Sequence, residues 1–123
     1  MSSRTDHPVV ALVKDLFFVA RIRETAKLVG TPLGFARSPE ELTAALEGEP
    51  PGLVIIDLTT PGWDHAALLA TVAARAPGVP VLGYTTHVLA RQTQPLHDRC
   101  DRVVTKETLT QELPQILREG VPA

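Results

Sequence analysis

The sequence predicts an open α/β fold, five parallel strands with helices on both faces of the sheet. Three observations predict it. Short apolar runs alternate five times with stretches of helical apolar spacing, the pattern of βα repeats. The run Leu53-Val54-Ile55-Ile56 is apolar throughout and lies between Gly52 and the turn signal Pro61-Gly62, which fits a strand covered on both faces. With 123 residues the chain is too short for an eight-stranded (β/α) barrel, so the sheet stays open.

Residues 1–8 are polar and read as a loose start. Val9 to Val13 form the first strand, which ends at Lys14 and Asp15. Phe18, Ile22, Ala26 and Val29 then recur at three- and four-residue spacing, the stripe of a first helix, with Gly30 at its C-cap. Leu33 to Ala36 make a short second strand. Ser38-Pro39-Glu40-Glu41 is a capping box with proline at the first helical position, and it opens a helix whose buried stripe is Leu42, Ala45 and Leu46. The central strand, Leu53 to Asp57, turns through Pro61-Gly62 into a helix with Ala66, Leu69, Val72 and Ala73 on one side, ended by Pro77-Gly78. Val79 to Tyr84 form the fourth strand, cut off by Thr85-Thr86-His87. A weaker helix carrying Val88 and Leu89 follows and is disturbed by Pro95. Arg102 to Thr105 make a fifth, short strand. The last helix shows Leu109, Leu113, Ile116 and Leu117, with Pro114 tolerated by its nearness to the helix start.

Composition narrows the function. A formal charge of −2, from 12 basic and 14 acidic side chains, leaves no electrostatic footprint for nucleic acid. The single cysteine, Cys100, rules out an internal disulfide, suits a reducing compartment and reads as a small core residue. No signal-like start opens the chain, and no apolar run approaches the roughly 20 residues that span a bilayer. The expected location is the cytoplasm, and the expected organisation a single domain over residues 1–123. His65, His87 and His97 lack the spacing of metal ligands and read as solvated.

Four polar residues end four strands: Asp15 the first, Asp57 the third, Thr85 the fourth and Lys106 the fifth. In the flavodoxin-like strand order 2-1-3-4-5 of a doubly wound (βα)5 sheet, those strands are neighbours, and the crevice falls between the first and third. Taken singly, an Asp after a strand is often a turn former or N-cap, a strand-end Thr an ST-turn, and a Lys a solvated charge. Taken together they suit phosphoryl chemistry. Asp57 would attack phosphorus to give an acyl phosphate, Lys106 and a divalent cation would offset charge, and Thr85 would donate to the new phosphoryl group. A flavodoxin-like enzyme or nucleotide binder is disfavoured, because Lys14-Asp15-Leu16-Phe17-Phe18 holds no glycine for a phosphate loop.

From about Val9 to Leu117 the chain resembles the receiver domain of two-component response regulators, the single-domain chemotaxis type included. The segment Asp57-Leu58-Thr59-Thr60-Pro61-Gly62-Trp63-Asp64 is similar to the family's phospho-acceptor loop, Tyr84-Thr85-Thr86 to its Thr-Ala segment, and Cys100-Asp101-Arg102-Val103-Val104-Thr105-Lys106 to its last strand. The resemblance implies that Asp57 is the phosphorylated aspartate, Thr85 the switch hydroxyl and Lys106 the phosphate-contacting lysine. It also implies a Mg²⁺ site on Asp15 and Asp57. That site is expected to be weak and not required, since Lys14 stands where the family has another acid. Lys14 either turns into the cleft in place of a metal or points outward, and the sequence leaves both open.

Other departures point the same way. Val103 replaces the family's switch aromatic, Glu107 replaces the proline after the lysine, and Thr86 is bulkier than the usual Ala or Gly and should narrow access to Asp57. The expectation is therefore a stand-alone, atypical receiver and not an enzyme, with weak or absent phosphorylation at Asp57. It would act by binding signalling proteins, a histidine kinase or a downstream effector, or a second copy of itself. The alternative is a fully functional phosphorelay receiver phosphorylated at Asp57. The family's usual partner face would here include Leu89, Arg91, Arg102 and Leu113, and Trp63 could anchor a partner beside the cleft or pack as a lid.

Overall fold

The computed structural model describes residues 8–121, so the loose start expected for residues 1–8 lies, Pro8 apart, outside the described residues. The elements run β1 (Val9–Leu12), α1 (Leu16–Val29), β2 (Leu33–Ala36), α2 (Pro39–Ala45), β3 (Leu53–Asp57), α3 (His65–Arg75), β4 (Val81–Thr85), α4 (Ala90–His97), β5 (Arg102–Thr105) and α5 (Lys106–Glu119). All neighbouring strands pair in parallel in the order β2-β1-β3-β4-β5, the expected doubly wound topology. Leu12 is level with Ile56, Asp57 with Tyr84, and Thr85 with Thr105, so the strand ends that carry Asp15, Asp57, Thr85 and Lys106 lie along one edge of the sheet.

Each face of the sheet buries its own core, as alternation along buried parallel strands requires. On one face Ala11, Val13, Ile55, Leu82 and Tyr84 pack against Phe18, Ile22 and Ala26 of α1 and Leu109, Leu113 and Ile116 of α5. On the other, Leu12, Val54, Ile56 and Val81 meet Leu42 of α2 and Leu68, Leu69 and Val72 of α3. All five residues of β3 are buried. Gly83 is needed where β4 passes under α4: a Cβ there would stand 2.9 Å from Leu58 Cδ1 and 3.0 Å from Cys100 Sγ. Burial, and then Asp101, push the Cys100 thiol up to about 11, so it is an inert packing group at neutral pH.

The helix ends follow their caps. Asp15 caps α1, and Gly30 closes it at φ 84°, a left-handed conformation that costs glycine little. Ser38 caps α2, with Pro39 inside the first turn, as the capping box predicts. Several details differ from expectation. Ala45 of α2 is exposed, and Leu42 with Leu46 carries the contact. In α3 the buried side is Leu68, Leu69 and Val72, while Ala73 is exposed, because alanine fits either face and does not fix the helix's rotation. β4 starts at Val81, after Pro80. Val88 precedes α4 and is 88% exposed. Pro114 lies well inside α5, where it has no N–H to give the Thr110 carbonyl four residues back. Among the described residues no peptide bond is cis, and no helix is long and apolar enough to cross a membrane.

Candidate functional site

The crevice opens where β1 and β3 send their next elements to opposite faces of the sheet. Asp15 stands at one side of it. Its Oδ1 accepts from the backbone N–H groups of Phe17 at 3.0 Å and Phe18 at 3.3 Å, capping α1, and its Oδ2 accepts from Lys106 Nζ at 2.7 Å. Lys106 begins α5 and also lies 5.0 Å from the centre of the Phe18 ring. The hydrogen bond from Lys106 is the main cause that holds the Asp15 carboxyl below the usual range, against the opposing cost of burial and with help from the capping N–H groups.

Because the folded value lies below the unfolded one, this interaction contributes stability that is fully present above the unfolded value and is lost as the pH falls through the folded one. Both side chains are more than a third exposed, so the pair contributes at most about 1 kcal/mol. We expect Lys106→Gln to lower stability slightly at neutral pH and to leave the acid limb of the stability curve shallower, as urea titrations at stepped pH will read.

Asp57 is buried, 7% exposed, at the end of β3. Its Oδ1 accepts twice from Thr59, from the backbone N–H at 2.8 Å and the hydroxyl at 2.6 Å. Its carbonyl oxygen lies 3.0 Å from His65 Nε2, whose N–H donates to it. Tyr84, level with Asp57 on β4, has a buried hydroxyl without a hydrogen-bond partner among the described residues. Burial first, then the charges of the facing Asp57 and Asp15 carboxylates and the nearness of Asp57 as an acceptor just short of a formed hydrogen bond, push its phenol far above the ordinary range, so it is neutral at any physiological pH.

Thr85 is also buried, and its hydroxyl accepts from Thr93 Oγ1 of α4 at 3.1 Å. Thr86, expected to narrow the cleft, uses its hydroxyl to accept from the Leu89 N–H at 3.2 Å and so supports the approach to α4. Lys14 is exposed, with its ammonium 5.9 Å from the centre of the Trp63 ring. Of the two arrangements left open for Lys14, this is the outward one, and the ammonium that reaches a cleft carboxylate belongs to Lys106.

The expected partner face needs correction. Leu113 is 1% exposed in the core between α5 and the sheet, since it shares the inward stripe of Leu109, Ile116 and Leu117. It is not available to a partner. Arg102 is partly buried and forms an ion pair with Glu112 of α5 at 2.6 Å. Leu89 is half-buried and Arg91 exposed. A surface groove lies elsewhere, between α1 and α5, a space of about 830 Å³ lined by Phe17, Ala20, Leu28, Lys106 and Thr110 among others.

Sequence reasoning passed over Thr59, His65 as a ligand of the Asp57 backbone, Tyr84, Thr93 and the bonded state of His97. Thr59 was findable, since the backbone N–H two residues after a strand-end Asp is placed to donate to its carboxylate in an Asx-turn. Tyr84 carried no polar signal, because its position in an apolar strand reads as core.

Mg²⁺ demands near-octahedral oxygen ligands, yet both Asp15 oxygens and Asp57 Oδ1 already accept hydrogen bonds. Among the described residues no three His, Cys, Asp or Glu side chains form a ligand group. A Mg²⁺ ion on Asp15 and Asp57 would compete with these hydrogen bonds, above all with the Lys106 ammonium on Asp15.

No family model and no curated protein sequence matches the chain. Solved structures do match. An uncharacterized protein from Neptuniibacter caesariensis superposes with a TM-score of 0.81 at 19% identity, over 94% of this chain and 87% of that one. The receiver domain of a sensor histidine kinase from Pseudomonas aeruginosa PAO1, with magnesium coordinated in its active-site cleft, has a TM-score of 0.74 at 16% identity, over 90% and 93% of the two chains. The chemotaxis response regulator CheY4 of Vibrio cholerae gives 0.73 at 18% identity, over 89% and 98%. The fold is the one that response regulator receiver domains have.

Proposed function

We propose that this chain is a single receiver-like module of two-component signalling that acts through protein contacts, with Asp57 a weak phospho-acceptor or none. One observation carries the reading: the two cleft carboxylates already have partners, Lys106 on Asp15 at 2.7 Å and the neutral Thr59 on Asp57 at 2.6 Å and 2.8 Å. Formation of an acyl phosphate joins an Asp57 oxygen to phosphorus while the leaving group departs with its electron pair. The product places further negative charge beside Asp15. Lys106 is the counter-charge for that group but is held here by Asp15, while Thr85, whose hydroxyl accepts from Thr93, keeps its own proton as the neutral donor. Lys14 lies outside, over Trp63.

Retention of Asp57, Thr85 and Lys106 at neighbouring strand ends favours a second reading, a competent phosphorelay receiver. Incubation with acetyl phosphate, with and without Mg²⁺, read by intact mass and with Asp57→Asn as control, decides between them. We expect little adduct on the natural chain and more on Lys14→Asp, which exchanges a cation beside Asp15 for a carboxylate. Full conversion of the natural chain, lost in Asp57→Asn, would establish the second reading. The partners are signalling proteins, a histidine kinase or an effector, and the surface offered to them on α4 includes Arg91 and the half-buried Leu89.

A further inference from the structure

Helix α4 carries a hydrogen-bonded chain that acyl phosphate chemistry does not call for. The Thr85 hydroxyl accepts from Thr93 Oγ1 at 3.1 Å, and Thr93 Oγ1 lies 2.9 Å from His97 Nε2. The Ala90 carbonyl, 3.2 Å from Thr93 Oγ1, is a competing acceptor. Thr85 and Thr93 are buried at 3% and 5% exposure, whereas His97 is half-buried at the far end of α4. The three side chains thus run from the strand end beside Asp57 to the protein surface. We infer that they form a relay in which the hydrogen-bond state of His97 and that of the Thr85 hydroxyl set one another.

The argument is one of proton counting. A threonine hydroxyl has a single proton to give, and a neutral imidazole nitrogen either donates or accepts. When His97 Nε2 bears hydrogen it donates to Thr93, Thr93 donates to Thr85, and the Thr85 proton is free for an acceptor at the strand ends. When His97 Nε2 is bare, Thr93 donates to it and the Thr85 proton turns to Thr93. A group that draws the Thr85 proton therefore favours hydrogen on His97 Nε2, and a partner that fixes the His97 ring biases Thr85 by the same factor. Val103, on β5, has no polar group with which to take part in such a chain. The meaning of the relay for signalling rests on the receiver reading, but its existence does not, and it can be tested without phosphorylation.

The test is ring ¹⁵N NMR of the full chain at a pH where all imidazoles are neutral, with His97 assigned by the loss of its signals in His97→Gln. In Thr85→Val, Thr93 loses its acceptor on β4, and its proton is left to the Ala90 carbonyl and, in greater share than before, to His97. The His97 Nε2 signal is then expected to move toward that of a bare ring nitrogen, although Thr85 does not touch the ring. Thr85→Ser keeps the hydroxyl and should leave the signal in place. In a Thr93→Val background the Thr85→Val shift should vanish, and Thr93→Ser should restore it. His65, hydrogen-bonded to the Asp57 carbonyl, serves as an internal reference that should not move. An unmoved His97 in Thr85→Val, equal shifts in the Ser and Val variants, or a shift that persists without the Thr93 hydroxyl would each overturn the relay.

Discussion

Leu113→Ala is expected to destabilise the fold by about 2–5 kcal/mol, the range for deleting most of a buried leucine side chain and leaving a partly unfilled cavity. Leu113 is 1% exposed and packs in the core that joins α1, the sheet and α5. Against a total of about 5–15 kcal/mol for an ordinary domain, that loss would lower the urea midpoint clearly while leaving the slope unchanged. Arg91→Glu, on the exposed side of α4, should fall within about 0.5 kcal/mol of the natural chain. A silent Leu113→Ala would mean that α5 is not docked as described, and would return that leucine to the surface.

Tyr84→Phe is expected to act in the opposite direction, raising stability by about 1–3 kcal/mol, the cost of a buried polar group left without a partner. The ring would keep its place against Phe18, whose centre lies 4.9 Å away, so little packing is lost with the oxygen. Only the unpartnered hydroxyl changes. Urea or thermal unfolding measures this directly. A loss of similar size would show that the hydroxyl donates to one of the two carboxylates it faces, and would make Tyr84 a support of Asp57 rather than a burden on the core.

The parts of the fold that were legible in the sequence have one cause, a pattern that only one local structure satisfies. Leu53 to Ile56 is too apolar and too short for anything but a covered strand. Phe18, Ile22 and Ala26 repeat at a period that only a helix uses. The rotation of α3 was illegible because Ala66 and Ala73 are as tolerable outside as inside. The start of α4 was misplaced because Val88 is apolar yet exposed, and nothing local distinguishes it from a core residue.

The candidate site divides in the same way. Topology alone carries Asp15, Asp57, Thr85 and Lys106 to one edge of the sheet, so their neighbourhood follows from the order of elements. Which of them bond is a matter of side-chain reach, and strand spacing does not report it. Lys106 bonds to Asp15, 91 residues away along the chain. Lys14 lies over Trp63, and Arg102 is held by Glu112. Thr93 and His97, four apart on a polar helix, look like solvated residues until the packing of α4 on β4 brings Thr93 against Thr85.

The docking of α5 against α1 also sets a timetable. A chain emerges from the ribosome N-terminal part first, so β1, α1 and β3 exist well before Lys106 does. Throughout that interval Phe18, Ile22 and Ala26 lack the apolar partners of α5, and Asp15 stands beside Asp57 without its ammonium. The arrival of α5 covers that side of the sheet and neutralises Asp15 in a single event. Completion of the crevice thus waits for α5, and a nascent chain halted before Lys106 lacks both the finished site and one wall of the core.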